Sequence, residues 1–110
     1  MKVVVTRCAE EKLEKIYDYG FVNFGLRAVT GLQEGLEEKL WLLRSHPFMG
    51  TPERLLGKRP LGYRYLVILG IFKLIYYVDV ENNSMIISDL WDVRKEPSFL
   101  AAQTQCVDNQ

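Results

Sequence analysis

The sequence predicts an α+β domain of order β-α-α-β-β-β, with a helical hairpin packed on a twisted, mainly antiparallel sheet. Three observations carry that expectation. Most β-branched and aromatic residues fall in one stretch, GYRYLVILGIFKLIYYVDVENNSMIISDLWDVRKEP, residues 62–97, broken by turn signals at Gly70 and Asn82-Asn83. Two segments before it repeat apolar residues at helical spacing. A short β-branched run opens the chain. At 110 residues there is room for one core, so residues 1–110 are expected as a single domain.

Residues 2–6, KVVVT, form the first expected strand, and Thr6 can cap the helix that follows through its hydroxyl. Glu10 and Glu11 suit the positive end of that helix dipole. Leu13, Ile16, Tyr17, Gly20, Phe21 and Phe24 set an amphipathic helix over 7–24, and Gly25 stops it. The second helix covers 26–44, with Val29, Leu32, Leu36, Leu40 and Leu43 as its apolar stripe. Gly31 and Gly35 each cost roughly 1 kcal/mol inside a helix, which close approach to the first helix would offset. Ser45-His46-Pro47 ends it. Residues 48–61, with Gly50, Pro52, Gly57 and Pro60, read as a loop exposing Arg54, Lys58 and Arg59. Strands follow at 62–69, 71–81 and 84–93, the last two joined by a two-residue Asn82-Asn83 turn. Large apolar groups alternate onto both faces, so one face is expected to be covered and the other partly covered. Residues 98–110 supply a short helix and a polar tail.

Composition narrows function by exclusion. Net charge is zero, which argues against a general nucleic-acid binder. The charge is unevenly placed, however. Residues 44–73 hold six basic groups against Glu53 alone, and residues 74–110 hold two basic and six acidic groups. The middle of the chain therefore carries a local positive patch suited to phosphates or an acidic protein. No apolar run reaches the roughly 20 residues of a membrane span. The N-terminus lacks an export-type apolar region, so Cys8 and Cys106 are expected as reduced thiols in the cytoplasm. One histidine and two distant cysteines make no metal constellation, and no glycine-rich phosphate loop is present, so neither metal nor cofactor is expected.

Several short runs then occur in a telling order. They are Ile16-Tyr17-Asp18-Tyr19, Asn23-Phe24-Gly25, Pro47-Phe48-Met49-Gly50, Tyr63-Arg64-Tyr65-Leu66, Ile75-Tyr76-Tyr77-Val78 and Trp91-Asp92-Val93-Arg94-Lys95-Glu96-Pro97. In this order and spacing the sequence resembles the RelE/ParE superfamily of bacterial type II toxin–antitoxin toxins, over about residues 2–100. The resemblance implies a cognate antitoxin that masks the working surface, in a heterodimer or heterotetramer. RelE-like members cut mRNA in the ribosome, whereas ParE-like members act on DNA gyrase.

The resemblance also places Arg64, Lys73 and Arg94 on the basic cluster of the RelE-like nucleases, with Leu66 replacing a further basic position. Arg64 and Lys73 fall on adjacent strands and Arg94 ends the third, which is expected to gather one cationic patch. Cleavage by 2′-hydroxyl attack also needs an acid and a base. Where RelE-like enzymes often use a tyrosine, this chain has Leu100 beside Phe99, and His46 is remote from the cluster. Glu96 or Asp92 could substitute, but no spacing selects either. A ParE-like toxin needs only a surface, and the Trp91-Asp92-Val93-Arg94 run fits that branch. Arg64, Lys73, Trp91, Arg94 and Arg59 are the expected target-binding residues. Each has a plainer role: Arg94 can pair with Asp92 or Asp89, and a strand tryptophan is more often core than contact. The alternatives are a RelE-like mRNA endonuclease, a degenerate toxin kept as an antitoxin-binding partner, and an unrelated small RNA-binding domain.

Overall fold

Three consecutive valines favour extended backbone, and they lie in β1 (Lys2–Val5). Thr6 then turns the chain into α1 (Arg7–Phe24), and Gly25 turns it into α2 (Leu26–Ser45). The sheet is completed by β2 (Thr51–Pro52), β3 (Arg64–Ile68), β4 (Phe72–Asp79) and β5 (Ser84–Asp92), with a 3-10 turn at Arg54–Leu56. These elements come from a computed structural model that describes residues 1–57, 61–68, 70 and 72–93. No helix among the described residues is long and apolar enough to cross a membrane.

The sheet runs β1-β5-β4-β3-β2. Only β1 pairs in parallel, against the first half of β5, and the other pairings are antiparallel. Thr6 joins this edge to the helical layer. Its Oγ1 accepts the Ala9 N–H at 3.3 Å and donates to the carbonyls of Ile87 and Ser88, 3.0 and 3.1 Å away. At the other end of α1, Gly25 has φ +88° and donates its N–H to Gly20 and Phe21, a left-handed stop that glycine adopts without steric cost. One residue thus separates two helices and forces the antiparallel hairpin. The close approach expected to offset a helical glycine is not made at Gly31, which faces open space, and at Gly20 an added Cβ would lie 3.5 Å from Val29, an ordinary contact distance.

Pairing register assigns the two faces. Ile68, Leu74, Tyr76, Met85, Ile87 and Leu90 point toward the helices and pack with Ala9, Leu36 and Leu43. On the opposite face Ile75 and Trp91 pack with Leu56 and Tyr63. The second face is therefore covered by the connection before β3, a segment expected to be loop. That connection contains both β2 and the 3-10 turn. Two residues are too few for periodicity to reveal, and Pro52 is tolerated because β2 is an edge strand.

The hairpin between β4 and β5 is longer than the two-residue turn expected. Asp79 pairs with Ser84, leaving a four-residue connection. Asp79 accepts hydrogen bonds from the Asn82 backbone and side chain, and Asn83 takes the positive φ, +48°. A second irregularity is a bulge: Ile75 opposes Asp89 while Tyr76 opposes Ile87, so Ser88 is the extra residue. Just past it Asp89 is fully buried and accepts from Lys12 Nζ, the Leu90 N–H and Trp91 Nε1. A charge from α1 and a carboxylate from β5 thus meet where β1 no longer pairs. The segment 98–110 lies outside the described residues.

Replacing Thr6 by valine keeps the shape but removes the cap and both carbonyl contacts. Chemical denaturation should show a loss of about 1–2 kcal/mol with an unchanged m-value.

Candidate functional site

Two residues after α2, the chain becomes a strap lying across the end of β3 and β4. Pro47 cannot extend the helix, and Gly50 is buried against Tyr76. The Tyr76 hydroxyl donates to the Pro47 carbonyl at 2.8 Å and accepts the Gly50 N–H at 2.9 Å. A Cβ at residue 50 would fall 2.4 Å from that oxygen and 2.9 Å from the Tyr65 carbonyl, so only glycine fits. Burial raises the Tyr76 pKa above its usual 10, partly opposed by the Gly50 bond and the Arg64 charge. The Pro47-Phe48-Met49-Gly50 run is thus a backbone segment closed onto a buried phenol.

The basic residues fasten the same strap. Arg64 donates from Nη1 to the carbonyls of Gly50 (2.8 Å) and Phe48 (3.3 Å), and its guanidinium lies 5.3 Å from the centre of the Phe48 ring. Thr51 and Pro52 pair with Tyr65 and Arg64. Glu53 then passes to the far face, where its side chain is buried. Its Oε2 accepts from Lys73 Nζ at 2.9 Å and its Oε1 accepts the Leu55 N–H at 3.2 Å. Lys73 Nζ sits 4.2 Å over the Tyr65 ring, with Trp91 behind it at 5.9 Å.

Register separates the two cations. Arg64 stands opposite Tyr76 on the helix-covered face, whereas Lys73 stands opposite Val67 on the other face. The single patch expected from adjacent strands is therefore not formed by these two residues. Being neighbours across strands is not enough, because side chains alternate and 64 and 73 have opposite parity in this pairing. Trp91 is fully buried in the second core, its indole N–H given to Asp89. Arg59 and Arg94 lie outside the described residues. His46 is exposed at the end of α2, and Cys8 is half-buried in α1.

An open cavity of about 330 Å³ lies beside the Lys73–Glu53 pair, lined by Thr51, Pro52, Glu53, Arg54, Tyr65 and Lys73. Among the described residues it offers one exposed cation, Arg54, an aromatic wall and a neutralised ion pair. This set can hold an anionic or planar group of a partner. It is poorly arranged for proton transfer, since both Glu53 oxygens already accept hydrogen bonds and Lys73 is ion-paired. Among the described residues no group of three or more His, Cys, Asp or Glu side chains could hold a metal. Sequence reading passed over Glu53, Gly50 and the Tyr76 hydroxyl. Glu53 had a signal: one acid among six bases over 44–73 marks a residue selected to pair.

The model of the family described as "ParE toxin of type II toxin-antitoxin system, parDE" matches residues 3–97. Among solved structures, one described as the chromosomal ParDE TA system from P. aeruginosa superposes with a TM-score of 0.65. It is 22% identical, over 84% of this chain and 95% of that one. No curated protein sequence matches.

Two outcomes follow for the strap. Tyr76→Phe strands the buried Gly50 N–H and Pro47 carbonyl, and should lose about 1–3 kcal/mol. Because folding raises the Tyr76 pKa, its contribution is fully present below pH 10 and declines as pH rises through the folded value. Unfolding midpoints measured from pH 8 to 11 should therefore fall less steeply in the variant, with Tyr17, also raised by burial, supplying the remaining slope. Lys73→Met should lose about 2 kcal/mol by leaving Glu53 buried alone, less than for a fully buried pair because Lys73 keeps a quarter of its side chain exposed. The Lys73→Met/Glu53→Gln double variant should recover part of that loss, as a double-mutant cycle would show.

Proposed function

The chain belongs to the ParE toxin family of type II toxin–antitoxin systems, and we propose that it arrests growth by binding a macromolecular target such as DNA gyrase. A cognate antitoxin protein masks it until released, in a heterodimer or heterotetramer, and both meet in the cytoplasm. The observation that carries a binding mechanism over RNA cleavage is the divergence of Arg64 and Lys73. A nuclease built on this sheet would aim both cations at one phosphate. Here they face opposite sides, and each is occupied with the strap, Arg64 by backbone carbonyls and Lys73 by Glu53.

A rigid strap is useful to a binding protein. It carries Phe48 and Met49 as exposed apolar groups and Arg54 as an exposed cation at a fixed place beside the sheet. Aromatic and arginine groups held in one conformation lose little entropy on contact, which is the usual basis of an affinity hot spot. Arg59 and Arg94 are further basic residues of the sequence, and Arg94 remains the first residue to substitute.

Inducing the chain without its antitoxin separates the readings. We expect growth arrest with DNA breaks and an SOS response, and inhibition of supercoiling by purified gyrase. Primer extension on mRNA should show no codon-linked cuts; such cuts would assign the RelE-like chemistry instead. Normal growth at full expression would identify a degenerate toxin that only binds antitoxin. Arg94→Ala, at equal protein level, should weaken the arrest.

A further inference from the structure

The cavity beside the Lys73–Glu53 pair is lined by hydrogen-bond donors that the fold does not use. Among the described residues, the Arg54 guanidinium and the Thr51 and Tyr65 hydroxyls find no hydrogen-bond partner within the chain. Lys73 Nζ carries three N–H groups and gives one to Glu53. The carboxylate of the lining is already spent, Oε1 on the Leu55 N–H and Oε2 on Lys73. What the side chains leave over is donating capacity and one uncompensated cation.

These groups are also held in place before any partner arrives. The Glu53 side chain is 3% exposed and fixes the Lys73 ammonium, with the Tyr65 ring 4.2 Å from the nitrogen. Arg54 follows Glu53 directly and opens the 3-10 turn, whose Leu55 N–H that same carboxylate accepts. The backbone that carries the arginine is therefore anchored by its buried neighbour.

We propose that this cavity receives the carboxylate of an aspartate or glutamate side chain of the protein target. Arg54 is its ion-pair partner, and Tyr65, Thr51 and Lys73 are further donors. The assignment rests on the reading of this chain as a binding protein. Charge is the first reason: Arg54 and Lys73 against Glu53 leave the lining at a net single positive charge, matching one anion. A phosphodiester carries the same charge, but nucleic acid brings a row of them and gains affinity by neutralising many together. Beyond Tyr65 and Lys73, this face of β3 and β4 presents Val67, Ile75 and Tyr77, with no second cation. The second reason is the apolar setting. Val67 pairs with Lys73, Leu55 follows Arg54, and both are exposed, as suits an arginine anchor in a protein contact. The planar fork of an arginine also matches the two oxygens of a carboxylate. Strand addition at this edge is disfavoured, because Pro52 in β2 has no N–H to give. The incoming segment is therefore held by side chains.

Nuclear magnetic resonance titration of the full-length chain tests the site, with a blocked peptide carrying one glutamate between leucines as probe. The Arg54, Leu55 and Lys73 amide signals should shift and saturate with a Kd of about 1 mM or tighter, and the glutamine version of the peptide should not shift them. Arg54→Gln should weaken binding at least about tenfold, and Arg54→Lys by less, since it keeps the charge without the fork. Tyr65→Phe should weaken it by a smaller factor. The thermal unfolding midpoint should stay unchanged in all three, because these polar groups hold nothing inside the chain. Equal shifts with the glutamine peptide overturn the proposal, as does an Arg54→Gln variant that binds as well. A DNA duplex or inorganic phosphate that saturates the same signals at lower concentration overturns it too, and reassigns the cavity to phosphate. Supercoiling by purified gyrase reads the parent proposal separately. A chain that leaves gyrase active while the peptide saturates loses that target and keeps its carboxylate site. Equal inhibition by the wild type and Arg54→Gln keeps the target and overturns the site.

Discussion

A buried phenol hydroxyl has few ways to be satisfied, and in this protein the Tyr76 hydroxyl is satisfied by the backbone of a segment 26 and 29 residues away in sequence. The Gly50 bond is buried and the Pro47 bond half-buried, so each group would carry a desolvation penalty if left alone. That requirement draws the strap onto the sheet, and Gly50 is the residue that permits the approach. Once Pro47 and Gly50 are held, Thr51 is delivered to the edge of β3, and Glu53 is carried to the far face. The second core follows, because Leu56 arrives three residues later to cover Ile75 and Trp91. One side chain on a central strand thus links the two faces of the sheet.

The same constraint decides what the cations do. Arg64 and Lys73 are conspicuous as bases on strands of a basic stretch. Both complete the strap: Arg64 donates to the Phe48 and Gly50 carbonyls, and Lys73 neutralises a carboxylate that could not be buried unpaired. Electrostatic attraction to a partner must then come from groups with spare charge, such as Arg54 at the cavity mouth. A binding protein loses nothing by this arrangement. A nuclease would lose its phosphate clamp.

The opposite edge of the sheet is held by a comparable economy. Thr6 caps α1 and donates to two β5 carbonyls at the bulge, and Lys12 reaches the buried Asp89 one residue further on. The bulge places Asp89 opposite Ile75, and Lys12 reaches its carboxylate from α1 beyond the residues that β1 pairs. Between these fixed ends the hairpin runs out past the core, which is why its tip is exposed.

Much of the fold was legible from residue type alone. Thr6 and Gly25 bounded the first helix because capping and positive φ are local requirements, met by neighbours in sequence. The apolar stripe of α2 and the alternation of β4 were legible because periodicity is local too. Asn82-Asn83 marked a turn but not its length, which depends on where Asp79 and Ser84 stop pairing. The site was another matter. That Arg64 and Lys73 diverge, that Trp91 is core and that Glu53 is buried follow from strand register and from a strap folding back across the sheet. Those are long-range facts. Local sequence determined which elements form, because their hydrogen bonds close within a few residues. Only the tertiary structure decided which charges are left for a partner, because that depends on which buried groups each must satisfy first.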